Sequence, residues 1–291
     1  MFLSVFELFK IGIGPSSSHT MGPMVAASRF IAALRASPFQ PAGLRVRLHG
    51  SLAFTGIGHA TDRATILGLA GFEPATYDAQ KAERTLAQIN ETGVILNAGL
   101  PPLAFDAASD LVFDYGKPLP GHANGMVIMA TDAQGDVILQ ETYYSTGGGF
   151  VSTEAELADQ GASASGDDVP YPFRTAAEML AMCAESGKSI AGLKRANELE
   201  SMGPLALDNG LARIWEVMNA CIERGMATDG ILPGGLSVKR RAKGIREKLI
   251  EERGMNLTAP HTINDWMTVY AMAVNEENAV CGRGDDLPSG G

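Results

Sequence analysis

A change of sequence pattern at Gln160–Pro172 divides this chain of 291 residues into two differently built parts. The segment is rich in Gly, Ser, Ala and Asp, contains two prolines and lacks apolar periodicity, which is typical of a linker. Before it, strand and helix patterns alternate, whereas after it every apolar pattern is helical. We therefore expect an α+β N-terminal domain over 1–158, a linker over 159–172 and an all-α C-terminal domain over 173–283.

The individual elements follow from the spacing of apolar residues. Period-two alternation predicts four strands, of which the last two form a hairpin: Leu44–Leu48, Asp110–Asp114, Gly125–Thr131 and Asp136–Tyr144. Helical spacing in the same part predicts three helices: one from Met21 that ends before Pro38, Asp62–Leu69 and Gln80–Ile89. After the linker it predicts five more: Phe173–Ser186, Gly192–Met202, Asp208–Arg224, Val238–Glu252 and Ile263–Glu277.

The composition argues against several classes of partner. The net charge of −10 and the pI of about 5.0 offer no electrostatic footprint for nucleic acid. We expect no membrane partner either, because no apolar run approaches the length of a bilayer span. The three cysteines, Cys183, Cys221 and Cys281, are too scattered for a disulfide framework or a metal signature, so a cytoplasmic location is expected.

The segment Gly14-Pro-Ser-Ser-Ser-His-Thr20 places a row of hydroxyl groups before the first predicted helix. The first N–H groups of a helix lack partners and the helix dipole is positive there, so an anion is favoured. A loop of this kind can hold a carboxylate or a phosphate. The alternative is that one serine acts only as an N-cap.

Four histidines, His19, His49, His59 and His122, lie beside glycines or hydroxyl residues in the N-terminal part. Glycine allows a backbone to approach a ligand, and imidazole titrates near neutral pH. Each histidine by itself could simply satisfy a turn, but the four together indicate a site. The run Ser145-Thr-Gly-Gly-Gly-Phe150 could present N–H groups to an anion or form a flexible turn.

The motifs taken together resemble those of bacterial iron–sulfur L-serine dehydratases. The resemblance rests on the following stretches, in chain order: Ser4–Met24 with its Ser-Ser-Ser-His-Thr run, His49-Gly-Ser-Leu-Ala-Phe-Thr-Gly-Ile-Gly-His-Ala-Thr-Asp-Arg63, His122-Ala-Asn-Gly125, Ser145–Phe150, Leu232-Pro-Gly-Gly-Leu-Ser-Val-Lys-Arg-Arg-Ala242 and Asn275-Glu-Glu-Asn278.

The resemblance implies a lyase of amino-acid catabolism and gluconeogenesis, an L-serine ammonia-lyase that converts L-serine to pyruvate and ammonia. It implies a [4Fe–4S] cluster as Lewis acid and no pyridoxal phosphate. It also implies that the N-terminal domain is similar to allosteric substrate-binding domains.

The resemblance and the chemistry of the residues together predict a set of site residues. For the substrate carboxylate we expect Ser16, Ser17, Ser18, His19 and Thr20. His59 is the first candidate for the base and His19 the second. The remaining pocket residues are predicted to be His122, Asn124, Ser145, Gly147, Gly148 and Gly149.

The resemblance stops after Arg283, and residues 284–291 do not match the family pattern. The resemblance implies that the cluster-ligand cysteines lie further on, so we expect a truncated or frameshifted product whose all-α C-terminal domain is incomplete and which has no metal ligands of its own. Cys183 and Cys221 are expected to be small packing residues. We expect this chain to be inactive alone and to expose apolar faces, so that a homodimer or a separate cluster-domain half would be its partner.

Two other functions remain open from the sequence. The first is a non-catalytic L-serine-binding module. The second is a lyase acting on another small carboxylate.

Overall fold

The computed structural model describes residues 2–159, 169–232, 237–254 and 262–280. Most of the predicted linker, the Pro-Gly-Gly turn at 233–235, His261, Cys281 and the tail 284–291 lie outside the described residues. The chain forms two compact units. One consists of residues 1–11 and 158–219, and the other of residues 12–157 and 220–291.

The described residues form eleven α-helices and seven strands. The helices are α1 Val5–Leu8, α2 Gly22–Ala36, α3 Ser51–Phe54, α4 Thr61–Leu69, α5 Ala79–Thr92, α6 Glu154–Asp159, α7 Ala176–Ser186, α8 Ile190–Ser201, α9 Pro204–Ala227, α10 Ala242–Gly254 and α11 Thr262–Val280. The strands are β1 Gly43–His49, β2 Val94–Ile95, β3 Leu103–Ala104, β4 Leu111–Asp114, β5 Gly125–Thr131, β6 Val137–Gly147 and β7 Phe150–Thr153. The predicted fold class, an α+β part followed by helices, is confirmed.

The strands form one mixed sheet in the order β2-β3-β1-β5-β6-β7, and β4 also pairs with β1. Strand β1 runs parallel to β3 and β4 and antiparallel to β5. The predicted hairpin of β5 and β6 is confirmed, with Gly125 opposite Tyr144. Because β1 and β4 are parallel and in register, His49 and Asp114 lie side by side at their carboxyl ends.

The core of this region lies between the sheet and helices α2, α4 and α5. Helix α2 buries Phe30, Ile31 and Leu34 because its apolar residues recur at helical spacing. Helix α4 crosses α2 at Gly68, where an added Cβ would lie 2.3 Å from the Met24 carbonyl oxygen. This close approach requires glycine and fixes the position of α4, which follows His59.

We predict that Gly68→Ala lowers the free energy of unfolding by about 1–3 kcal/mol, because the methyl group forces α2 and α4 apart. Gly244→Ala is the matched control, since an added Cβ at this helical glycine meets nothing within 4 Å. The control should be neutral or slightly stabilising, because alanine is the better helix former. Urea unfolding measures both, and equal midpoints for the two variants would contradict the close contact.

In the unit of residues 1–11 and 158–219, a buried carboxylate holds the N-terminal segment. Glu198 of α8 is 2% exposed and accepts hydrogen bonds from the Ser4 hydroxyl and the Val5 N–H, both at 2.7 Å. The first turn of α1 thus receives a negative charge, which its free N–H groups favour. In the same unit, the ring of Phe6 packs against Gly210.

In the other unit, the segment that leads into α10 contacts two neighbouring glutamates of α11. Glu276 caps α10 by accepting hydrogen bonds from the N–H groups of Arg241, at 2.7 Å, and Ala242, at 3.3 Å. The neighbouring Glu277 pairs with Arg240 and Arg224, both at 3.0 Å. The segment before α10 is therefore held by the Glu-Glu pair of α11 through charge-assisted hydrogen bonds.

Candidate active site

The hydroxyl run lies at the N-terminus of a helix, as predicted, but the helix begins earlier than the predicted Met21 and includes the run as its first turn. Ser17–Met21 form a single π-helical turn that continues directly into α2. Proline has no N–H, so Pro23 cannot donate to the His19 carbonyl as an α-helix would require. The turn widens, and Gly22 donates to Ser17 instead.

The widened turn leaves backbone donors free at its start. The Ser16 side chain caps the turn by accepting the His19 N–H at 3.1 Å. Within the described residues, the N–H groups of Ser17 and Ser18 have no acceptor. Because this end of the helix also carries the positive end of the dipole, the geometry is suited to an anion.

Two threonines join this turn to the segment that carries His59. The Thr61 hydroxyl donates to the His19 carbonyl at 2.6 Å and replaces the hydrogen bond that Pro23 cannot make. In return, the Thr20 hydroxyl donates to the His59 carbonyl at 2.9 Å. Both threonines are buried, so each histidine backbone is fixed by the other segment. Because the Thr20 hydroxyl donates its hydrogen to this carbonyl, it cannot donate the same hydrogen to a ligand.

These bonds bring the rings of His19 and His59 together, with their centroids 4.8 Å apart. The His19 ring lies between two hydroxyl groups: Nδ1 is 2.9 Å from Ser18 Oγ, and Nε2 is 2.9 Å from Ser51 Oγ. Burial, and then the neighbouring His59, lower the pKa of His19 below its ordinary value. His19 is therefore neutral at physiological pH.

His59 has a defined hydrogen-bonding role. Its Nδ1 lies 2.9 Å from the carbonyl oxygen of Thr55, which can only accept a hydrogen bond. Nδ1 therefore carries the hydrogen, and Nε2 of the neutral ring has a free lone pair. This tautomer leaves Nε2 able to accept a proton from a ligand.

The loop His122–Asn124 borders the same network. The Ala123 carbonyl accepts the Ser51 N–H at 2.8 Å, and Asn124 pairs with the backbone of Ser145 through two hydrogen bonds. His122 Nδ1 accepts the Asn124 N–H at 3.1 Å. The neutral His122 ring therefore carries its hydrogen on Nε2, which makes it a donor there.

Ser145 contributes a buried hydroxyl without a partner. It is 2% exposed, and its Oγ makes no hydrogen bond with any described residue. A Cβ added to Gly22 would lie 2.0 Å from this oxygen, so the hydroxyl is packed against the start of α2. An unsatisfied buried hydroxyl costs free energy, which indicates a missing partner such as a ligand or a water molecule.

The three glycines after Ser145 form the turn between β6 and β7. All of them have positive φ, at 101°, 59° and 73° for Gly147, Gly148 and Gly149. This conformation explains the glycine run. An added Cβ at Gly147 would meet nothing within 4 Å, so its positive φ, and not crowding, favours glycine at this position.

Comparison with known proteins identifies the family of the chain. The family model described as serine dehydratase beta chain matches residues 4–156, more than half of the chain. The chain belongs to the serine dehydratase beta chain family. The model of the serine dehydratase alpha chain matches residues 176–283.

Curated relatives agree with the family models. The chain is 45% identical over 293 aligned positions to an L-serine dehydratase of Streptomyces coelicolor, covering 100% of this chain and 64% of the relative. It is 42% identical to L-serine dehydratase 1 of Escherichia coli, covering 99% of this chain and 63% of the relative. The chain thus spans just under two thirds of the length of these relatives.

The residues that the structure describes in this chain do not fit an iron–sulfur cluster. Among them, no three His, Cys, Asp or Glu side chains are grouped so that they could hold a metal ion. Cys183 and Cys221 are both half-buried, and burial followed by Glu277 raises the pKa of the Cys221 thiol. Cluster ligands are thiolates, so this shift disfavours ligation. Separately, no helix in the described ranges has the length and apolar character to span a bilayer.

His49 lies at the edge of the network. Its Nδ1 is buried without a hydrogen-bond partner in the described chain, 3.7 Å from Asp114 Oδ2. Burial lowers the pKa of His49, and Asp114 opposes that shift. The contact between His49 and Asp114 fixes the end of β1 just before Gly50 and Ser51.

Sequence reasoning missed Thr61 and Ser51 as functional residues. Both lie inside the motif from His49 to Arg63 that carried the family resemblance. The signal for Thr61 was the proline at position 23, since a helix start with a proline leaves one carbonyl without an intrahelical donor. No comparable signal identifies Ser51, because its contact with His19 joins residues 32 positions apart.

We predict that Thr61→Val lowers the free energy of unfolding by about 1–3 kcal/mol, because the His19 carbonyl loses the hydrogen bond from the buried Thr61 hydroxyl. Thr61→Ser keeps the hydroxyl and is the matched control. Thermal and urea unfolding measure both variants. Equal stability of Thr61→Val and Thr61→Ser would show that the hydrogen bond does not hold the turn.

Proposed function

We propose that this chain carries the substrate-binding half of an L-serine ammonia-lyase, which removes water from L-serine and releases pyruvate and ammonia. The observation that carries the proposal is the pairing of an anion-binding turn with a histidine whose Nε2 is free to accept a proton. The names of the relatives, L-serine dehydratases, support L-serine as the substrate.

The carboxylate of L-serine is assigned to the start of the π-helical turn. The free N–H groups of Ser17 and Ser18 and the hydroxyls of Ser16 and Ser18 supply donors in a positive dipole field. The Ser145 hydroxyl supplies a further donor from β6. Thr20 takes a different role from the one the sequence suggested, because its hydroxyl holds His59. It is a positioning residue.

The proton next to the carboxylate is assigned to His59. The Cα–H bond breaks, its electron pair forms the Cα=Cβ bond, and the proton goes to His59 Nε2. At the same time the Cβ–O bond breaks, and the hydroxyl leaves with the bonding electron pair and takes up a proton to become water; this departure is assigned to no described residue of this chain. The aminoacrylate that forms tautomerises to an imine, and water then converts it to pyruvate and ammonia. His122, with a hydrogen on Nε2, can donate to the substrate from the other side of the network.

The [4Fe–4S] cluster that the family resemblance implies would supply Lewis acidity toward the substrate hydroxyl. No reaction step is derived through it, because the described residues do not form its ligand set. We propose that the cluster ligands lie outside residues 1–291, in the part of the relatives' length that this chain does not span.

We predict that the 291-residue chain binds L-serine and that Ser18→Ala weakens this binding by about 10–100-fold, since a hydrogen bond to a charged group contributes roughly 1.5–3 kcal/mol. Isothermal titration calorimetry measures both affinities. Ser109→Ala is the control, because that hydroxyl donates to Asp106 outside the site. L-Alanine, which retains the carboxylate, should still bind. Wild-type affinity in Ser18→Ala would remove the turn as the carboxylate site.

We also predict that His59→Gln lowers pyruvate formation by about 10²–10⁴-fold while L-serine affinity changes little, because a general base acts mainly in the transition state. The assay uses this chain together with a separate cluster-domain half, after anaerobic reconstitution with iron and sulfide, because the described residues supply no ligand set for the cluster. Full turnover in His59→Gln would exclude it as the base.

L-Serine binding without turnover in the wild-type chain complemented in this way would favour the second candidate, a non-catalytic L-serine-binding module. This candidate is favoured by the location of the whole binding network within residues 12–157.

A further inference from the structure

The ring of His19 lies between two close serine hydroxyls, one at each nitrogen, and a third hydroxyl, Ser16 Oγ, is 3.4 Å from Nδ1. Ser18 Oγ is 2.9 Å from Nδ1, and Ser51 Oγ is 2.9 Å from Nε2. A neutral imidazole has one N–H and one lone pair, so one serine must accept from the ring while the other donates to it. The direction of the hydrogen bonds along Ser18, His19 and Ser51 decides where the hydroxyl hydrogen of Ser18 points.

The proposed function fixes the direction, and the inference rests on it. A carboxylate only accepts hydrogen bonds, so Ser18 must direct its hydrogen to the substrate. Ser18 Oγ then faces His19 with a lone pair, and Nδ1 must carry the hydrogen. Nε2 is left as an acceptor that needs a donor. Among the described residues, Ser51 is the one that places a hydroxyl within hydrogen-bonding distance of Nε2.

We propose that Ser51 is a positioning residue whose hydroxyl donates to His19 Nε2, holding His19 in the Nδ1–H form that leaves the Ser18 hydroxyl free for the substrate carboxylate. Ser51 itself does not touch the substrate in this arrangement. Its effect passes through the tautomer of His19.

The backbone holds Ser51 in place for this role. Gly50, at the end of β1, has φ of 55°, a conformation that side chains rarely adopt. A Cβ there would lie 2.3 Å from the Ala123 carbonyl oxygen. That same oxygen accepts the Ser51 N–H at 2.8 Å. The backbone of Ser51 is therefore positioned by the end of β1 and by the loop His122–Asn124, independently of His19.

The tautomer of His19 can be read directly by correlation spectra of the imidazole nitrogens in ¹⁵N-histidine-labelled protein. The full 291-residue chain is measured at a pH of about 8, where His19, with its lowered pKa, is neutral. The His19 signals are assigned by their loss in His19→Gln. The variants are Ser51→Ala, which removes the donor, Ser51→Thr, which keeps a hydroxyl, and Ser109→Ala as control.

The expected wild-type spectrum is that of an Nδ1–H ring, both in the free chain and with L-serine. Ser51→Ala should shift it to Nε2–H or to a mixture, whereas Ser51→Thr and Ser109→Ala should keep the wild-type pattern. L-Serine binding should weaken by about tenfold in Ser51→Ala and recover in Ser51→Thr.

Two results would overturn the proposal: an Nε2–H ring in the wild-type chain, or an unchanged Nδ1–H ring in a folded Ser51→Ala. The wild-type and Ser51→Thr spectra decide the matter even if Ser51→Ala does not fold. Absence of L-serine binding would count against the proposed function, but the tautomer would still be decided by the spectra of the free chain.

Discussion

The site depends on one reciprocal pair of hydrogen bonds, in which each of two buried threonines donates to the carbonyl of a histidine on the other segment. Thr61 binds the His19 carbonyl and Thr20 binds the His59 carbonyl. The first bond exists because Pro23 cannot donate, and the π-helical turn follows from the same deficiency. The proline thus links the start of α2 to the start of α4. Close packing at Gly68 keeps the two helices in contact.

Much of the fold could be predicted because long amphipathic segments reveal their period. Helix α2, strands β1, β5 and β6 and the five helices after the linker appear close to their predicted bounds. The short elements β2, β3, β7 and α3 were missed, since two to four residues carry no measurable period. Their positions depend on pairing and packing with distant parts of the chain.

The sequence also suggested that the N-terminal histidines form one site, and the geometry brings His19 and His59 into ring contact. Sequence reasoning could not assign what each hydroxyl does. Ser16, Ser17, Ser18 and Thr20 look equivalent in the sequence. In the fold, however, Ser16 caps the turn, Thr20 bonds to the His59 carbonyl, and Ser18 lies against His19. Such roles depend on which way each side chain points from a π turn, and residue type does not determine that.

The backbone gives chemically identical histidines different roles. The Thr55 carbonyl forces a hydrogen onto Nδ1 of His59, whereas the Asn124 N–H forbids one on Nδ1 of His122. His59 therefore offers a lone pair at Nε2, and His122 offers a hydrogen there. His19, 4.8 Å from His59, is kept neutral by burial and by its neighbour. Two cationic rings at that distance would repel each other. A neutral His19 avoids this repulsion when His59 takes up a proton. A neutral His19 therefore favours the role that we propose for His59 as a base.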